Sequence, residues 1–354
     1  MNKIINILKK KKSMPIDKFI DIALYEKKFG YYMKKNPFGK KGDYITSPLI
    51  SKLFGEMIAI WCVAFWIYLG KPKKIIVAEL GPGNAALCQD LLNTFKSFKD
   101  FYQCVEINLV EKSSRLKKIQ KKKIKNKKVK WINKINTLNY GPIIFIGNEF
   151  FDSLSIKHFY KIKKKYYEKY ITLSKSEKKL KFYFKKAKKN LISNIKKFNS
   201  LNSSKKIEYP LTAIDYLEKI ANKIDKYNGA LLMFDYGYTK KNNSYTLQAV
   251  KNHKYSDIFY EPGNSDITHH INYRLFTEIL KKNKLKVEKV VSQNEFLQKM
   301  GIIERANSVS KKLNFKDKAD IYYRLRKLLH YNEMGSLFKV LLAKKRGIKF
   351  SLGF

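Results

Sequence analysis

The chain has 354 residues, of which 44% are hydrophobic and 14% aromatic, so it can bury a full core and fits neither a disordered nor a disulfide-stapled class. Its formal net charge is +46, but only six of its 75 basic residues are arginines. Because phosphate and base recognition draws heavily on arginine, the lysine excess favours a compositional bias, and a polyanion-binding face stays the alternative. Three cysteines without paired spacing argue against disulfides and a thiolate metal site, and indicate a reducing compartment.

Residues 1–72 are predicted to form a helical extension with a loop that covers the cofactor. Apolar residues at three- and four-residue steps predict a helix from Met14 onward, and a Gly- and Tyr-rich loop follows at residues 29–48. Residues 51–69 predict a buried helix whose apolar run is too short to span a bilayer. Residues 1–12 lack a cleavage site, so we expect no export signal, and a bacterial-type cytoplasmic location or, in a eukaryote, a mitochondrial one.

Short apolar strands then alternate with amphipathic helices. The strands are predicted at residues 75–80, 105–110, 143–146, 230–234, 285–291 and 337–342, and the helices at residues 85–95, 113–123, 211–224 and 273–280. Such alternation predicts an α/β fold, a parallel sheet with helices on both faces. We expect the two halves of this core at residues 73–155 and 209–354.

Residues 156–208 interrupt the alternation. Their first part has apolar and polar residues in period two, which predicts an inserted antiparallel β ribbon. Residues 185–206 are rich in Lys and Asn, and we expect a mobile loop there.

The strongest local signal is the turn that follows the first core strand. The strand ends in Glu79, and Gly81 and Gly83 then open a helix. Glycines in tight succession let the backbone approach a bound adenosyl group without a side-chain clash. A dinucleotide site uses the same arrangement, so the turn alone leaves both ligands open.

An acidic residue ends the second core strand as well. Glu111 lies 30 residues beyond Gly81, where a carboxylate can accept hydrogen bonds from both hydroxyls of a ribose. A surface carboxylate is the alternative. The spacing favours a ribose-bearing cofactor.

The third cluster of polar residues, Asn148 to Asp152, follows the strand at residues 143–146. Residues just past the carboxyl ends of parallel strands face the ligand crevice. Glu149 and Asp152 therefore form a candidate pair for a cationic acceptor, and a guanidinium suits two carboxylates because its fork is planar and always charged. Helix capping is the alternative for either residue.

Motifs spread in order over nearly the whole chain resemble the MidA-like methyltransferases. The matching residues are 19, 23–25, 30–32, 38–39, 42–48, 54–56, 79–83, 110–113, 148–152, 235–237, 246–249, 266–268, 296–301 and 334–340. This family includes a mitochondrial factor for the assembly of respiratory complex I, which methylates an arginine of a core subunit.

The resemblance implies a Rossmann-like, seven-stranded class I methyltransferase fold with S-adenosylmethionine as the cofactor. It also implies that residues 42–47 close over the methionine end of this cofactor, which assigns Asp43, Thr46 and Ser47 to cofactor binding; turn capping is the alternative for these short polar groups. Asn148 is assigned to the cofactor too. Asp235 is expected near the acceptor channel, with helix capping or packing as the alternative.

Two departures from the family pattern bear on activity. Asn84-Ala85-Ala86 stands where members usually have Arg-Gly-Thr, and Leu49 stands where a glutamate usually follows Thr-Ser-Pro. Alanine for the last glycine is a mild change, since that position serves packing of the helix against the strand. The lost arginine removes a contact to cofactor or substrate, and a different residue 49 implies a different acceptor specificity.

The expected function is methylation of a protein side chain, an arginine, with a respiratory complex I subunit as one possible acceptor. Glu149 and Asp152 are the candidate catalytic residues, and Glu79, Gly81, Gly83 and Glu111 the main cofactor ligands. No metal site is expected. Two alternatives stay open: a nucleic-acid methyltransferase, and a non-catalytic assembly protein with a degenerate cofactor site. The sequence leaves the oligomeric state open.

Overall fold

A computed structural model describes residues 2–34, 37, 39, 42–43, 46–174 and 179–354. The strands are β1 (Ser13–Pro15), β2 (Ile75–Leu80), β3 (Val105–Val110), β4 (Val129–Ile132), β5 (Ile143–Asn148), β6 (Lys157–Ile162), β7 (Lys165–Leu173), β8 (Leu180–Lys186), β9 (Lys206–Tyr209), β10 (Gly229–Tyr238), β11 (Gln248–Lys251), β12 (Lys254–Ser256), β13 (Asp266–Thr268), β14 (Ile271–Asn272), β15 (Leu285–Val287), β16 (Val291–Ser292) and β17 (Phe338–Lys345). The helices are α1 (Asn2–Lys11), α2 (Ile16–Tyr25), α3 (Tyr31–Lys34), α4 (Ser47–Ile50), α5 (Lys52–Tyr68), α6 (Ala86–Phe95), α7 (Lys99–Cys104), α8 (Ser114–Lys123), α9 (Lys189–Lys196), α10 (Asn199–Asn202), α11 (Leu211–Tyr227), α12 (Tyr273–Lys282), α13 (Gln293–Lys299), α14 (Ile302–Ser310), α15 (Phe315–Leu329) and α16 (Met334–Leu337), with a short 3-10 turn at Ile135–Thr137.

The central sheet has seven strands in the order β15-β17-β10-β5-β2-β3-β4, and two short strands extend it, β14 paired with β10 and β16 paired with β17. β2, β3, β4, β5 and β10 run parallel to one another, whereas β17 is antiparallel to both β10 and β15. This confirms the predicted seven-stranded, Rossmann-like class I arrangement. β17 departs from the parallel sheet that the alternation predicted. The single strand predicted at residues 285–291 is also wrong, since β15 and β16 are separate short strands.

The sheet is buried on both faces because its strands are apolar at consecutive positions. In β2, Ile75 and Val77 belong to the core under α5 and α6, while Ile76 and Ala78 belong to the core under α11 and α12. The predicted buried helix is α5, and the side chain of its Trp61 is fully buried. None of the helices in the described part of the chain is long and apolar enough to cross a membrane.

Residues 156–208 form most of a second sheet with the order β1-β7-β6-β9. β1 and β6 pair with successive parts of one edge of β7, and β8 pairs with the opposite edge. Its antiparallel pairing was expected, but the contribution of β1 from the N-terminal extension was not. The loop predicted at residues 185–206 is wrong, because the end of β8, the helices α9 and α10 and the start of β9 occupy this stretch. Ile195 and Leu201 bury their side chains in the core under α11. A third sheet, β12-β11-β13, precedes α12.

Candidate functional site

The glycine turn lies where β2 passes into α6. Gly81 and Gly83 have φ angles of +61° and +53°, in the left-handed region that favours glycine. A Cβ atom on Gly81 would lie 2.7 Å from Cδ2 of Phe150. The backbone N–H of Gly81 donates to the carbonyl of Val110 at 3.0 Å, which fixes the turn against β3. The turn therefore requires glycine for both conformation and space.

A pocket of about 920 Å³, partly open to solvent, lies over this turn. Among the predicted site residues, its lining includes Thr46, Glu79, Gly81, Gly83, Glu111, Asn148 and Glu149. The lining does not include Asp43, Ser47 or Asp152. The structure therefore brings together the carboxyl ends of β2, β3 and β5, as the sequence predicted.

Glu79 forms the floor of the pocket at the end of β2. Its side chain is buried, and Oε2 has no hydrogen-bond partner among the described residues. Burial, with the nearby charges of Asp90 and Glu111, raises the pKa of Glu79 to about 8. A buried acceptor without a donor is costly, so Glu79 is set up to receive a cationic or hydrogen-bonding group of a ligand.

Glu111 lies across the glycine turn at the end of β3. Its Oε1 accepts from the backbone N–H of Ser113 at 2.7 Å, and its Oε2 accepts from Nε2 of Gln120 at 3.1 Å. The same Gln120 amide donates to the carbonyl of Gly83 at 2.8 Å. Burial raises the pKa of Glu111. These bonds orient the carboxylate at the pocket wall, where it can accept from ribose hydroxyls.

Asn148 and Glu149 form the wall after β5. Nδ2 of Asn148 donates to Oε1 of Glu149 at 3.3 Å, and Oδ1 of Asn148 has no partner among the described residues. Glu149 has a φ of +51°, which is uncommon for a residue with a side chain and is often found at functional sites. Burial and the charge of Asp152 raise the pKa of Glu149 to about 8, although the backbone of Ser47 donates to it.

Asp152 lies behind this wall with further acidic groups. Its Oδ2 accepts from the hydroxyl of Tyr236 at 2.5 Å, and its backbone N–H donates to Oδ2 of Asp235 at 3.3 Å. Burial raises the pKa of Asp152 to about 6, and burial with the charge of Asp152 raises that of Asp266 to about 8. Asp235 is fully buried, and its pKa lies well above the ordinary value. Glu149, Asp152, Asp235 and Asp266 are hereafter called the acidic wall.

Two residues assigned to the cofactor have other partners. The carboxylate of Asp43 accepts from the hydroxyl of Tyr31 at 2.6 Å and from the backbone N–H of Asn252 at 2.9 Å. The hydroxyl of Ser47 donates to Oε1 of Gln293 at 3.2 Å. The predicted closure of residues 42–47 falls partly on residues 44–45, which lie outside the described residues.

Several aromatic and basic residues of the pocket were not predicted. They are Tyr25, Tyr32, Lys112, Phe150 and Tyr216. Nζ of Lys112 lies 5.9 Å from the ring centre of Tyr25 and 5.7 Å from that of Tyr216. Four of them stand in segments that matched the MidA-like pattern, which was a usable signal. Tyr216 is on α11 and had none.

The polar groups of the pocket fit S-adenosylmethionine. No group of three or more His, Cys, Asp or Glu side chains within the described ranges could hold a metal. A glycine cradle, an unpaired buried carboxylate oxygen on Glu79 and an oriented Glu111 instead match a cationic, ribose-bearing ligand.

Several proteins similar to this chain are named as protein arginine methyltransferases. A protein named "Protein arginine methyltransferase NDUFAF7, mitochondrial" from Xenopus laevis is 29% identical over 337 residues, which cover 88% of this chain and 76% of the relative. Its Caenorhabditis elegans homolog is 31% identical over 304 residues, 78% of this chain and 70% of the relative. The human protein of that name is 26% identical over 310 residues, with 80% and 69% covered.

Two solved structures share the fold over almost the whole chain. A Burkholderia thailandensis protein bound to S-adenosyl-homocysteine superposes with a TM-score of 0.82 at 20% identity, covering 98% of this chain and 92% of that chain. A second structure, of a native protein from this organism, gives a TM-score of 0.80 at 19% identity, with 98% and 91% covered. A family model described as "Putative S-adenosyl-L-methionine-dependent methyltransferase" matches residues 57–291, well over half of the chain. The chain thus belongs to this methyltransferase family, as the MidA-like resemblance predicted, and S-adenosylmethionine is its cofactor.

Proposed function

We propose that the chain transfers a methyl group to an arginine side chain of a protein. The observation that carries this proposal is the acidic wall beside the cofactor pocket, with Glu149 in the lining. Burial and mutual repulsion raise the pKa of its carboxyl groups, so a cation placed there would be strongly favoured. A guanidinium is such a cation, and the relatives are named protein arginine methyltransferases.

In this proposal the pocket residues orient the reactants and hold the proton. S-adenosylmethionine, when bound, supplies a methyl group on a positively charged sulfur. Glu79 and Glu111 would hold its cationic and ribose parts, while Glu149 would accept hydrogen bonds from the guanidinium. Glu149 would accept the guanidinium N–H proton that is released when the acceptor nitrogen is methylated.

Asp152 would act beside Glu149 rather than in contact with the cofactor. Its carboxylate is held by Tyr236 behind the wall, so it contributes negative charge that keeps the acceptor oriented. In this division, Glu149 accepts the proton and Asp152 contributes negative charge. Neither role requires a covalent intermediate on the protein.

The test is methyl transfer from radiolabelled S-adenosylmethionine into a cell extract of the source organism, followed by acid hydrolysis of the labelled protein. We expect label in a protein band and its recovery as methylarginine. Glu149→Gln should lower the rate at least about a hundredfold, the scale of a lost proton acceptor. Glu106→Gln is the matched control, because Glu106 binds Lys130 and Asn108 away from the pocket lining.

The alternatives predict different results in the same assay. Label confined to RNA or DNA would identify a nucleic-acid methyltransferase and contradict the proposal. Absence of cofactor binding by calorimetry at millimolar concentration would identify a degenerate site in a non-catalytic protein. Label in lysine after hydrolysis would keep the enzyme but remove arginine as the acceptor.

The acceptor protein and the compartment stay predictions. A respiratory complex I subunit is the acceptor that the family resemblance implies. The relatives are named as mitochondrial, which supports a mitochondrial location for a eukaryotic chain.

A further inference from the structure

A buried carboxylate of the inserted sheet contacts the core domain beside the acidic wall. Glu208, on β9, is only 6% exposed. Its Oε1 accepts from the backbone N–H of Thr246 at 2.8 Å, and its Oε2 accepts from the Thr246 hydroxyl at 2.7 Å. Both oxygens are thus used on one residue of the loop before β11.

Glu208 makes these bonds as a carboxylate. Burial raises its pKa, but His158, whose Nε2 lies 3.1 Å from Oε1, and the Thr246 backbone N–H lower the pKa below its ordinary value. An ionised, buried group that accepts two hydrogen bonds from one residue holds that residue firmly. Thr246 is therefore fixed to the inserted sheet.

Thr246 passes this restraint to the segment 266–270. Its hydroxyl oxygen accepts from the backbone N–H of His270 at 2.9 Å. The neighbouring backbone N–H, of His269, donates to the carbonyl of Asp152 at 3.1 Å. The His270 ring also packs at right angles to the Tyr236 ring, with centroids 5.4 Å apart.

The same segment begins with a member of the acidic wall. Asp266 accepts from the hydroxyl of Tyr32 at 2.8 Å, and Tyr32 lines the pocket. The chain of bonds from Glu208 thus reaches two members of the acidic wall, Asp152 and Asp266. Glu208 itself is not among the lining residues.

We propose that Glu208 is a positioning residue of the methyltransferase: through Thr246 and His270, the inserted sheet holds Asp152 and Asp266 at the acceptor side of the pocket. This inference rests on the proposed function, because it assigns the acidic wall to the acceptor. It gives the inserted sheet a part in the reaction, because the two hydrogen bonds between Glu208 and Thr246, hereafter called the clamp, link that sheet to the segment 266–270.

Glu208→Gln changes the direction of one hydrogen bond with almost no change in volume. The amide oxygen can still accept from the Thr246 backbone, but the amide nitrogen can only donate to the hydroxyl. The Thr246 hydroxyl oxygen then receives two donors, and its own proton has no acceptor. The bond from His270 is weakened, while the cofactor residues keep their contacts.

The experiment compares four variants with the wild type. Glu208→Gln and Thr246→Val break the clamp, and Thr246→Ser keeps its hydroxyl. Glu278→Gln is the matched control, because Glu278 also clamps two backbone N–H groups, of Asn199 and Ser200, at 2.9 Å each. Each variant is measured for S-adenosylmethionine affinity by calorimetry, for label transfer into extract protein over a dilution series, and for amide exchange at residues 266–270.

We expect Glu208→Gln and Thr246→Val to bind S-adenosylmethionine within about twofold of the wild type, to transfer label about tenfold more slowly, and to exchange faster at residues 266–270. Thr246→Ser should keep at least half of the transfer rate, and Glu278→Gln nearly all of it. Equal losses in Glu208→Gln and Glu278→Gln, or a parallel loss of cofactor affinity, would show a merely structural role and overturn the inference.

Failure of the proposed function would look different. A wild type that labels no protein refutes the protein acceptor. Amide exchange still decides the clamp in that case, because unchanged exchange at residues 266–270 in Glu208→Gln overturns the inference whatever the acceptor is.

Discussion

Substitution of Gly81 by alanine isolates the steric demand of the cofactor turn. Gly81 has a φ of +61°, and a Cβ atom there would lie 2.7 Å from Cδ2 of Phe150. The left-handed backbone costs an alanine about 1–2 kcal/mol, partly offset by a less flexible unfolded chain. The overlap with Phe150 adds roughly 1–3 kcal/mol, the range for overpacked sites. We expect Gly81→Ala to lower the free energy of unfolding by about 2–4 kcal/mol.

Gly70→Ala and Gly347→Ala are matched controls for the backbone cost. Their φ angles are +81° and +92°, and no described atom lies within 4 Å of the added Cβ. Each should cost about 1 kcal/mol. Urea denaturation followed by tryptophan fluorescence gives the comparison. A Gly81→Ala protein no less stable than these controls would refute the proposed clash.

The partner of the clash is tested by a double substitution with Phe150→Ala. Phe150 lines the pocket and packs edge-on against Phe151 and Tyr216. If Phe150 is the obstacle, Gly81→Ala costs about 1–3 kcal/mol less in the Phe150→Ala background, a coupling that a mutant cycle measures. Calorimetry should show at least about a tenfold loss of S-adenosylmethionine affinity in Gly81→Ala alone, because the displaced ring enters the pocket. Additive costs would mean that another contact resists the methyl group.

Four further predictions concern charge. Glu79 has a pKa of about 8 in the ligand-free protein and must lose its proton to face a cation. The affinity for S-adenosylmethionine should therefore fall by up to about tenfold per pH unit below pH 8. Calorimetry should show that Glu79→Gln flattens this pH profile. Without ligand, folded Glu79 keeps its proton up to about pH 8, whereas the unfolded chain loses it near pH 4.5. The free energy of unfolding should therefore decrease as the pH rises from about 4.5 to 8, which urea denaturation at a series of pH values measures. Tyr236→Phe removes a 2.5 Å hydrogen bond that lowers the pKa of Asp152, so this pKa should rise. The acidic limb of the pH profile of the transfer rate should then move to higher pH. An unchanged acidic limb would show that Asp152 does not control this profile. Lys157→Met leaves two buried carboxylates unpaired and should cost about 3–5 kcal/mol in denaturation, whereas Lys219→Met, at an exposed pair, should cost less than about 1 kcal/mol.

The part of the site that lies on consecutive strand ends could be predicted from the sequence. Glu79 and Glu111 end apolar strands, and parallel strands bring their carboxyl ends to one edge of the sheet. Tyr216 could not be predicted in this way. It reaches the pocket from a helix more than a hundred residues farther along the chain, and only the packing of α11 on β5 and β10 places it there.

The prediction of a loop at residues 185–206 was wrong because it followed the composition and not the spacing of the apolar residues. Lys and Asn dominate residues 185–206, yet apolar residues such as Leu191, Ile195, Phe198 and Leu201 recur every three or four positions. This spacing is sufficient for two short helices that bury one face. The orientation of β17 was missed for another reason, since an apolar strand at the end of the chain carries no local mark of its direction.

The departure from the family pattern at residues 84 and 85 places an alanine with a left-handed backbone in the cofactor turn. Ala85 lies at φ +63° and ψ +27°, so a glycine there serves the backbone as well as the packing that we inferred from the sequence. The strain of about 1–2 kcal/mol is met by local bonds. Oδ1 of Asn84 accepts from the backbone N–H of Ala86 at 3.1 Å, and the N–H of Ala85 donates to the carbonyl of Pro82 at 2.7 Å.

The side chain that replaces the arginine also matters for the charge of the pocket. Asn84 is in the lining, opposite carboxyl groups whose pKa values burial raises. A neutral amide adds no positive charge to a site that has to bind a cation. Leu49 is not among the lining residues. Of the two departures, only the one that includes Asn84 therefore lies at the pocket, and we expect acceptor transfer to depend on Glu149 and the other members of the acidic wall.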